Sequence, residues 1–194
     1  MTAVKIVENF YDNAFQSFQS KDMVEWVDVT TPHTGDIIAK VPLSSAKDVD
    51  AAVQSAHHAF QLWSKRTFTD RCTLLLRFYN VLNKHVDELA NIIVQEHGKT
   101  KSEAVAEVKK GLETLQWALG LPHIALGRKL EVSRGVYCED RMDAVGVVVS
   151  VVPFNFPFSS SIFSLVLIIV ISLSGSFLDC SYCHGLREYS HYQT

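Results

Sequence analysis

The sequence is poor in glycine: it has nine among 194 residues, and none is arranged as G-x-G-x-x-G or as a Walker loop. A phosphate-cradling backbone is therefore not encoded in either of its common forms. H-E-x-x-H and G-x-S-x-G are missing too, which removes the usual zinc-peptidase and serine-hydrolase readings. Cysteine is scarce. Cys72, Cys138, Cys180 and Cys183 are too scattered for a disulfide scaffold and point to a reducing compartment. A net charge of −3 without a Lys/Arg cluster gives no electrostatic reason to expect nucleic acid as a partner. The segment Met1–Phe10 has neither an apolar signal core nor an Arg/Ser-rich amphipathic stretch, so no targeting peptide is expected.

Charge is missing altogether from one long segment. Between Ala144 and Leu178 there is no charged residue and no histidine. The densest part, Ile162–Leu173, is almost wholly apolar, yet it falls short of the ~18 apolar residues that suggest a membrane span. Pro153, Pro157 and Ser159–Ser161 interrupt the segment upstream. The reading favoured by length is a buried strand followed by a buried helix or strand, and a membrane span is not expected.

What is present reads as mixed α and β. Residues 6–11 and 24–29 read as short strands, and Thr34-Gly35-Asp36 supplies a turn into a returning strand at Ile37, Ile38 and Val41. Ser44-Ser45 offer N-caps for a helix carrying Val49, Ala52, Val53, Ala56, Ala59, Phe60 and Trp63. His57 and His58 are adjacent in sequence and point to different faces, so they read as surface residues rather than a chelating pair. Thr69-Asp70 would cap a second helix, and a third would run from Val86 to Glu96 with Gly98 as its C′ glycine. Thr100 and Glu103 form a Thr-x-x-Glu capping box, with Val105, Val108, Leu112, Leu115 and Leu119 on one stripe as far as Gly120. These helices read as the cover of a sheet. Residues 130–137 suggest a strand, and the β-branched run 145–152 suggests a strand buried on both faces, as in a parallel sheet.

Few side chains invite a chemical reading. Cys72 lies on an apolar stripe and reads as a structural thiol; Cys138 stands beside Glu139 and Asp140, which disfavour a thiolate. Cys180-Ser181-Tyr182-Cys183-His184 has the C-x-x-C-H spacing of haem attachment, but no helical periodicity surrounds it and only half of a zinc ligand set is present. No metal site is expected. Asn155 is different: Pro153 and Pro157 bracket it at the end of the valine run, and proline stiffens the backbone on both sides. A rigidly held carboxamide at a strand's carboxyl end can bind a developing oxyanion, or can simply satisfy backbone groups in a tight turn.

Pro153-Phe154-Asn155-Phe156-Pro157, preceded by Val145-Gly146-Val147-Val148, resembles the first cofactor-domain strand and oxyanion loop of the NAD-dependent aldehyde dehydrogenases. Glu96-His97-Gly98-Lys99-Thr100 resembles the Glu-x-Gly-Lys sequence of an early helix in that family, and Trp26-Val27-Asp28-Val29 with Pro32, Gly35 and Val41-Pro42 resembles its opening strands. Within the family, Leu75-Leu76-Arg77-Phe78, Gly111-Leu112-Glu113, Gly120-Leu121-Pro122-His123 and Val132-Ser133-Arg134-Gly135-Val136 are most similar to the CoA-acylating methylmalonate-semialdehyde branch. The resemblance runs from residue 6 to about residue 158.

It implies an α/β fold: the N-terminal part of a Rossmann-type cofactor domain over residues 1–158, with an oligomerisation arm near 130–144 and a divergent apolar tail over 159–194. It implies a thiolate adding to an aldehyde, hydride transfer to NAD and thioester release to CoA. Asn155 would hold the oxyanion, and Val152, Pro153 and Phe154 would contact the nicotinamide side of NAD. Dimers or tetramers, and a cytoplasmic or mitochondrial-matrix location, would follow. None of the four cysteines has the family nucleophile's context, and Gly175-Ser176-Phe177 is only a faint echo of the adenosine-side turn. The expectation is therefore a truncated, inactive chain whose tail arises by read-through, mis-splicing or frameshift. The alternatives are a non-catalytic product that associates with full-length subunits, or an aldehyde dehydrogenase of another branch.

Overall fold

The computed structural model describes residues 4–16, 25–124, 126–140 and 143–171. Its β-structure is small and local. Strand β1 (Lys5–Ile6) runs parallel to β5 (Ile37–Pro42), and β4 (Trp26–Thr30) pairs antiparallel with the other edge of β5, giving the order β1-β5-β4. The Thr-Gly-Asp turn forms as its chemistry predicts: Gly35 takes φ +77°, and its N–H donates to Thr31 O at 2.9 Å. The expected strand over 6–11 is broken. It divides between β1 and β2 (Asn9–Tyr11), and β2 pairs with β3 (Ala14–Gln16) across Asp12 and Asn13, both at φ 55°. Two successive left-handed residues match the twist of a tight hairpin, which a hydrophobicity pattern does not reveal.

The helices begin and end on the chemistry that the sequence offers. Helix α1 (Ala46–Trp63) starts from a capping box between Ser45 and Asp48. Ser44 caps nothing; its Oγ accepts from Asn9 Nδ2 at 2.7 Å. Helix α2 (Phe68–Lys84) starts earlier than Thr69-Asp70 suggests: Thr67 is the N-cap, accepting from the Asp70 N–H, and Thr69 lies inside the first turn. Helix α3 (Val86–His97) ends at Gly98 with φ +81°, and α4 (Lys101–Leu119) opens on the Thr100–Glu103 capping box. Each cap satisfies amide or carbonyl groups that the helix end would leave orphaned. His57 and His58 are both exposed, as read.

The expectation that these helices cover a sheet is corrected for α2, α3 and α4, whereas α1 does lie against β-structure, at β2. Helix α4 lies at the centre of a helical core, against α2, α3 and α6 (Pro157–Ile171). Leu75, Leu82, Leu89, Ile93, Val108, Leu112, Leu115, Phe158, Ile162 and Val166 form one buried cluster. The stripe expected on α4 is the face that carries this packing, and it meets helices in place of a sheet. Short helix α5 (Leu121–Ile124) adds Leu121 to the same cluster.

Two further expectations change. The single strand over 130–137 is a hairpin, β6 (Arg128–Ser133) with β7 (Val136–Asp140), turned at Gly135 with φ +77°. The valine run 145–152 is not a strand. Among the described residues no strand pairs with it, Gly146 has φ +120°, and Val145, Val149 and Val151 are 72%, 73% and 85% exposed. β-Branched residues form a central strand only where neighbouring ladders and two covering faces exist. The uncharged segment continues as α6, which crosses the expected boundary at residue 158 without a break. No described helix is long and apolar enough to cross a membrane. Val24, the Gly175–Phe177 echo and the Cys180–His184 motif lie outside the described residues.

Candidate active-site loop

The loop that carries Asn155 is held by its main chain. Pro157 occupies the first position of α6, where its missing N–H costs nothing and its fixed φ suits the helix. The Phe156 carbonyl accepts the first helical bond, from the Ser160 N–H at 3.1 Å. Phenylalanine has no side-chain acceptor, so the helix cannot cap itself. Glu107 of α4 supplies the cap instead. Its Oε1 accepts from the Phe158 N–H at 2.9 Å and from the Ser159 N–H at 3.4 Å. A carboxylate at this end also meets the positive pole of the helix.

Lys99 completes the arrangement. Its Nζ donates to Glu107 Oε2 and to the main-chain oxygen of Asn155, both at 2.5 Å, and it lies 4.5 Å from the Phe156 ring centroid. The ion pair is well shielded, with side-chain exposures of 15% for Lys99 and 2% for Glu107. A buried carboxylate needs both a counter-ion and hydrogen bonds, and Glu107 has them. Glycine lets the elements come this close. A Cβ on Gly111 of α4 would meet Phe158 Cε1 at 2.7 Å, so the absence of a side chain there seats the first turn of α6.

The four site residues expected from sequence lie together on this loop, at its open side. Val152 is half-buried, Pro153 and Asn155 are exposed, and Phe154 is 74% exposed. Among the described residues the Asn155 carboxamide makes no hydrogen bond; only the residue's main chain is engaged. Beside the loop, a cleft of about 450 Å³ opens between the 150–153 segment, α4 and α6, with Val151, Pro153, Lys110 and Phe163 on its walls. Ser150 and Ser164 share a hydrogen bond of 2.5 Å that ties the segment to α6.

Sequence reasoning missed Lys99 and Glu107 as neighbours of Asn155, although Lys99 was visible in the Glu-x-Gly-Lys motif. The available signal was Glu107 itself, a carboxylate placed among Ala104, Val108, Gly111 and Leu112 on the buried face of α4. Among the described residues, neither Cys72 nor Cys138 makes a hydrogen bond to the loop. Cys72 Sγ faces the Ala118 carbonyl at 3.8 Å, and burial pushes its thiol pKa up, away from the thiolate. Cys138 lies exposed on β7.

Comparison with known proteins matches residues 18–172 to the aldehyde dehydrogenase family, so the match continues past residue 158 and through α6. Malonate-semialdehyde dehydrogenase 1 of Geobacillus kaustophilus (strain HTA426) is 38% identical over 134 residues, 69% of this chain and 28% of its own length. The malonate-semialdehyde dehydrogenase of Lacticaseibacillus casei is 36% identical over 155 residues, 79% of this chain and 31% of its own. Among solved structures, a putative methylmalonate-semialdehyde dehydrogenase from Sinorhizobium meliloti 1021, complexed with NAD, superposes with a TM-score of 0.82. It is 27% identical, covering 88% of this chain and 34% of that one. The methylmalonate-semialdehyde dehydrogenase of Oceanimonas doudoroffii gives 0.81 at 28% identity, covering 87% and 34%. This chain thus spans less than a third of the length of those two sequence relatives. On the family match and the shared fold together, the chain belongs to the aldehyde dehydrogenase family.

Proposed function

We propose that the chain carries the oxyanion side of an NAD-dependent aldehyde dehydrogenase of the malonate- or methylmalonate-semialdehyde type, with CoA as acyl acceptor. The observation that supports this most is Asn155: its carbonyl is held by Lys99, the chain just after it is held at the Phe156 carbonyl and the Phe158 amide, and its exposed carboxamide makes no hydrogen bond among the described residues. A donor held in advance, with no competing partner, stabilises charge that develops on an aldehyde oxygen when a thiolate adds to the carbonyl. Val152, Pro153 and Phe154 offer an apolar edge beside it that fits the flat face of a nicotinamide. NAD, when bound there, would accept the hydride. The described residues include no glycine-rich phosphate cradle, so this edge is one part of a cofactor site.

The 194-residue chain is expected not to oxidise aldehydes alone: of the described cysteines neither Cys72 nor Cys138 bonds to the Asn155 loop, and Cys180 and Cys183 lack the sequence context of the family nucleophile. NAD reduction by the purified chain with malonate semialdehyde would overturn that. The oxyanion reading is tested by placing residues 18–172 into the Geobacillus kaustophilus enzyme at the matching position. Asn155→Ala in that chimera should lower kcat on the order of 10²–10³-fold with little change in KM. Unchanged kcat in a chimera that unfolds at the parent temperature would sink the assignment.

A second reading has its own support. Leu130, Val132, Val136 and Tyr137 are all exposed on the β6–β7 hairpin, and a lone two-stranded hairpin is marginally stable in water. The hairpin suits an arm that docks on another subunit, so the chain would associate with full-length homologues as a non-catalytic partner. Co-purification that disappears when residues 128–140 are deleted supports this; co-purification that survives the deletion refutes it.

A further inference from the structure

We infer that Lys99 and Glu107 are positioning residues for Asn155, acting as one ion-paired clamp that fixes the direction of its peptide unit. The inference rests on the reading of Asn155 as the oxyanion donor. The clamp reaches the loop from two elements. Lys99 lies between α3 and α4 and holds the Asn155 carbonyl, whereas Glu107 lies on α4 and holds the Phe158 and Ser159 amides. Between those anchors the chain has little freedom. Pro157 fixes one φ, the Phe156 carbonyl is taken by Ser160, and the Pro157 carbonyl accepts from Ser161 Oγ at 2.6 Å.

The two groups depend on each other. Glu107 spends one oxygen on the helix amides and the other on Lys99, and Lys99 divides its donors between that oxygen and Asn155. Because the pair is shielded from water, its hydrogen bonds are stronger than exposed ones and change little with salt. The Lys99 ammonium also rests on the Phe156 ring, which stops the residue after Asn155 from swinging outward. Asn155 itself contributes only its carbonyl, so the restraint leaves the carboxamide open for a ligand.

The test uses the 194-residue chain and backbone 15N relaxation. In the unaltered chain Asn155 and Phe156 should show order parameters near the ~0.85 of a rigid backbone. Lys99→Met alone strands a buried carboxylate and is expected to lower Tm as well, so the informative variant is Lys99→Met with Glu107→Gln. That pair keeps an acceptor for the Phe158 amide and leaves no unpaired charge. Its order parameters at Asn155 and Phe156 should fall below about 0.6, with Tm and the order of α4 unchanged. Retained order at Asn155 in the double variant overturns the inference. Loss of order throughout α4 together with a fall in Tm also overturns it, because the pair would then support packing rather than the loop. The measurement involves no aldehyde chemistry, so the Asn155→Ala chimera can fail while the clamp stands, and the reverse.

Discussion

At Gly98 the chain leaves α3 with φ +81°, and a Cβ there would come within 2.7 Å of Pro32 Cγ, in the turn between β4 and β5. Both facts demand glycine, and they give the Glu-x-Gly-Lys motif a physical meaning: the glycine turns the corner and the next residue is the clamp lysine. Gly98→Ala should destabilise the chain by at least about 1–2 kcal/mol from the left-handed backbone alone, read by urea unfolding. Glu107→Ala should cost more, about 3–5 kcal/mol, because it uncaps α6 and leaves the shielded Lys99 ammonium without its carboxylate. Glu103 makes a pH prediction. Hydrogen bonds from the Thr100 hydroxyl, then from the Thr100 backbone N–H, hold its carboxyl below the usual carboxylate range, and the Lys99 charge adds to them. A pKa depressed by folding gives stability that is present above the unfolded value and lost as pH falls through the folded one. The first turn of α4 should therefore fray in acid below the ordinary glutamate range, and amide exchange at residues 101–104 should show it. Thr100→Ala should move that onset to higher pH.

At the scale of elements, α4 and α6 depend on each other through one glycine and one carboxylate. Gly111 lies inside a helix, where alanine would add about 1 kcal/mol of helix propensity. Here the added methyl would run into the ring of Phe158, which is 3% exposed and has little room to move. Gly111→Ala should thus be net destabilising despite the propensity gain, with the loss appearing in α6 rather than α4. Exchange at Ile162 and Val166 should rise while that at Leu89 and Ile93 stays fixed. The helix ends were largely legible in sequence, because a cap is a local bargain between a side chain and amides three residues away, as at Ser45–Asp48 and Thr100–Glu103. The cap of α6 was not legible. Its carboxylate comes from residue 107, and no spacing rule within the helix points so far away. The run 145–152 failed for a related reason: its composition suits a strand, but a ladder needs partners that the run cannot supply.

For the whole molecule, the consequence is an apolar surface. Val145, Val149, Val151 and Phe154 are exposed within one stretch, next to Phe156 and Phe163. A contiguous patch of this kind marks an interaction surface or a liability to associate. The chain should self-associate with rising concentration in sedimentation velocity, and Val149→Lys with Val151→Lys should reduce that without lowering Tm. The sequence by itself determined the helices α1 to α4, most of their caps, the β4–β5 turn, the family, and Pro153–Pro157 as the segment to examine. Those are matters of short-range periodicity, local hydrogen bonding and motif. Only the tertiary structure decided that α4 packs on helices rather than a sheet, that the valine run lies open, and that Lys99 and Glu107 grip the Asn155 loop. The last of these turns on contacts such as Glu107 with Phe158, 51 residues apart, where packing and desolvation choose the partner and sequence spacing carries no record of it.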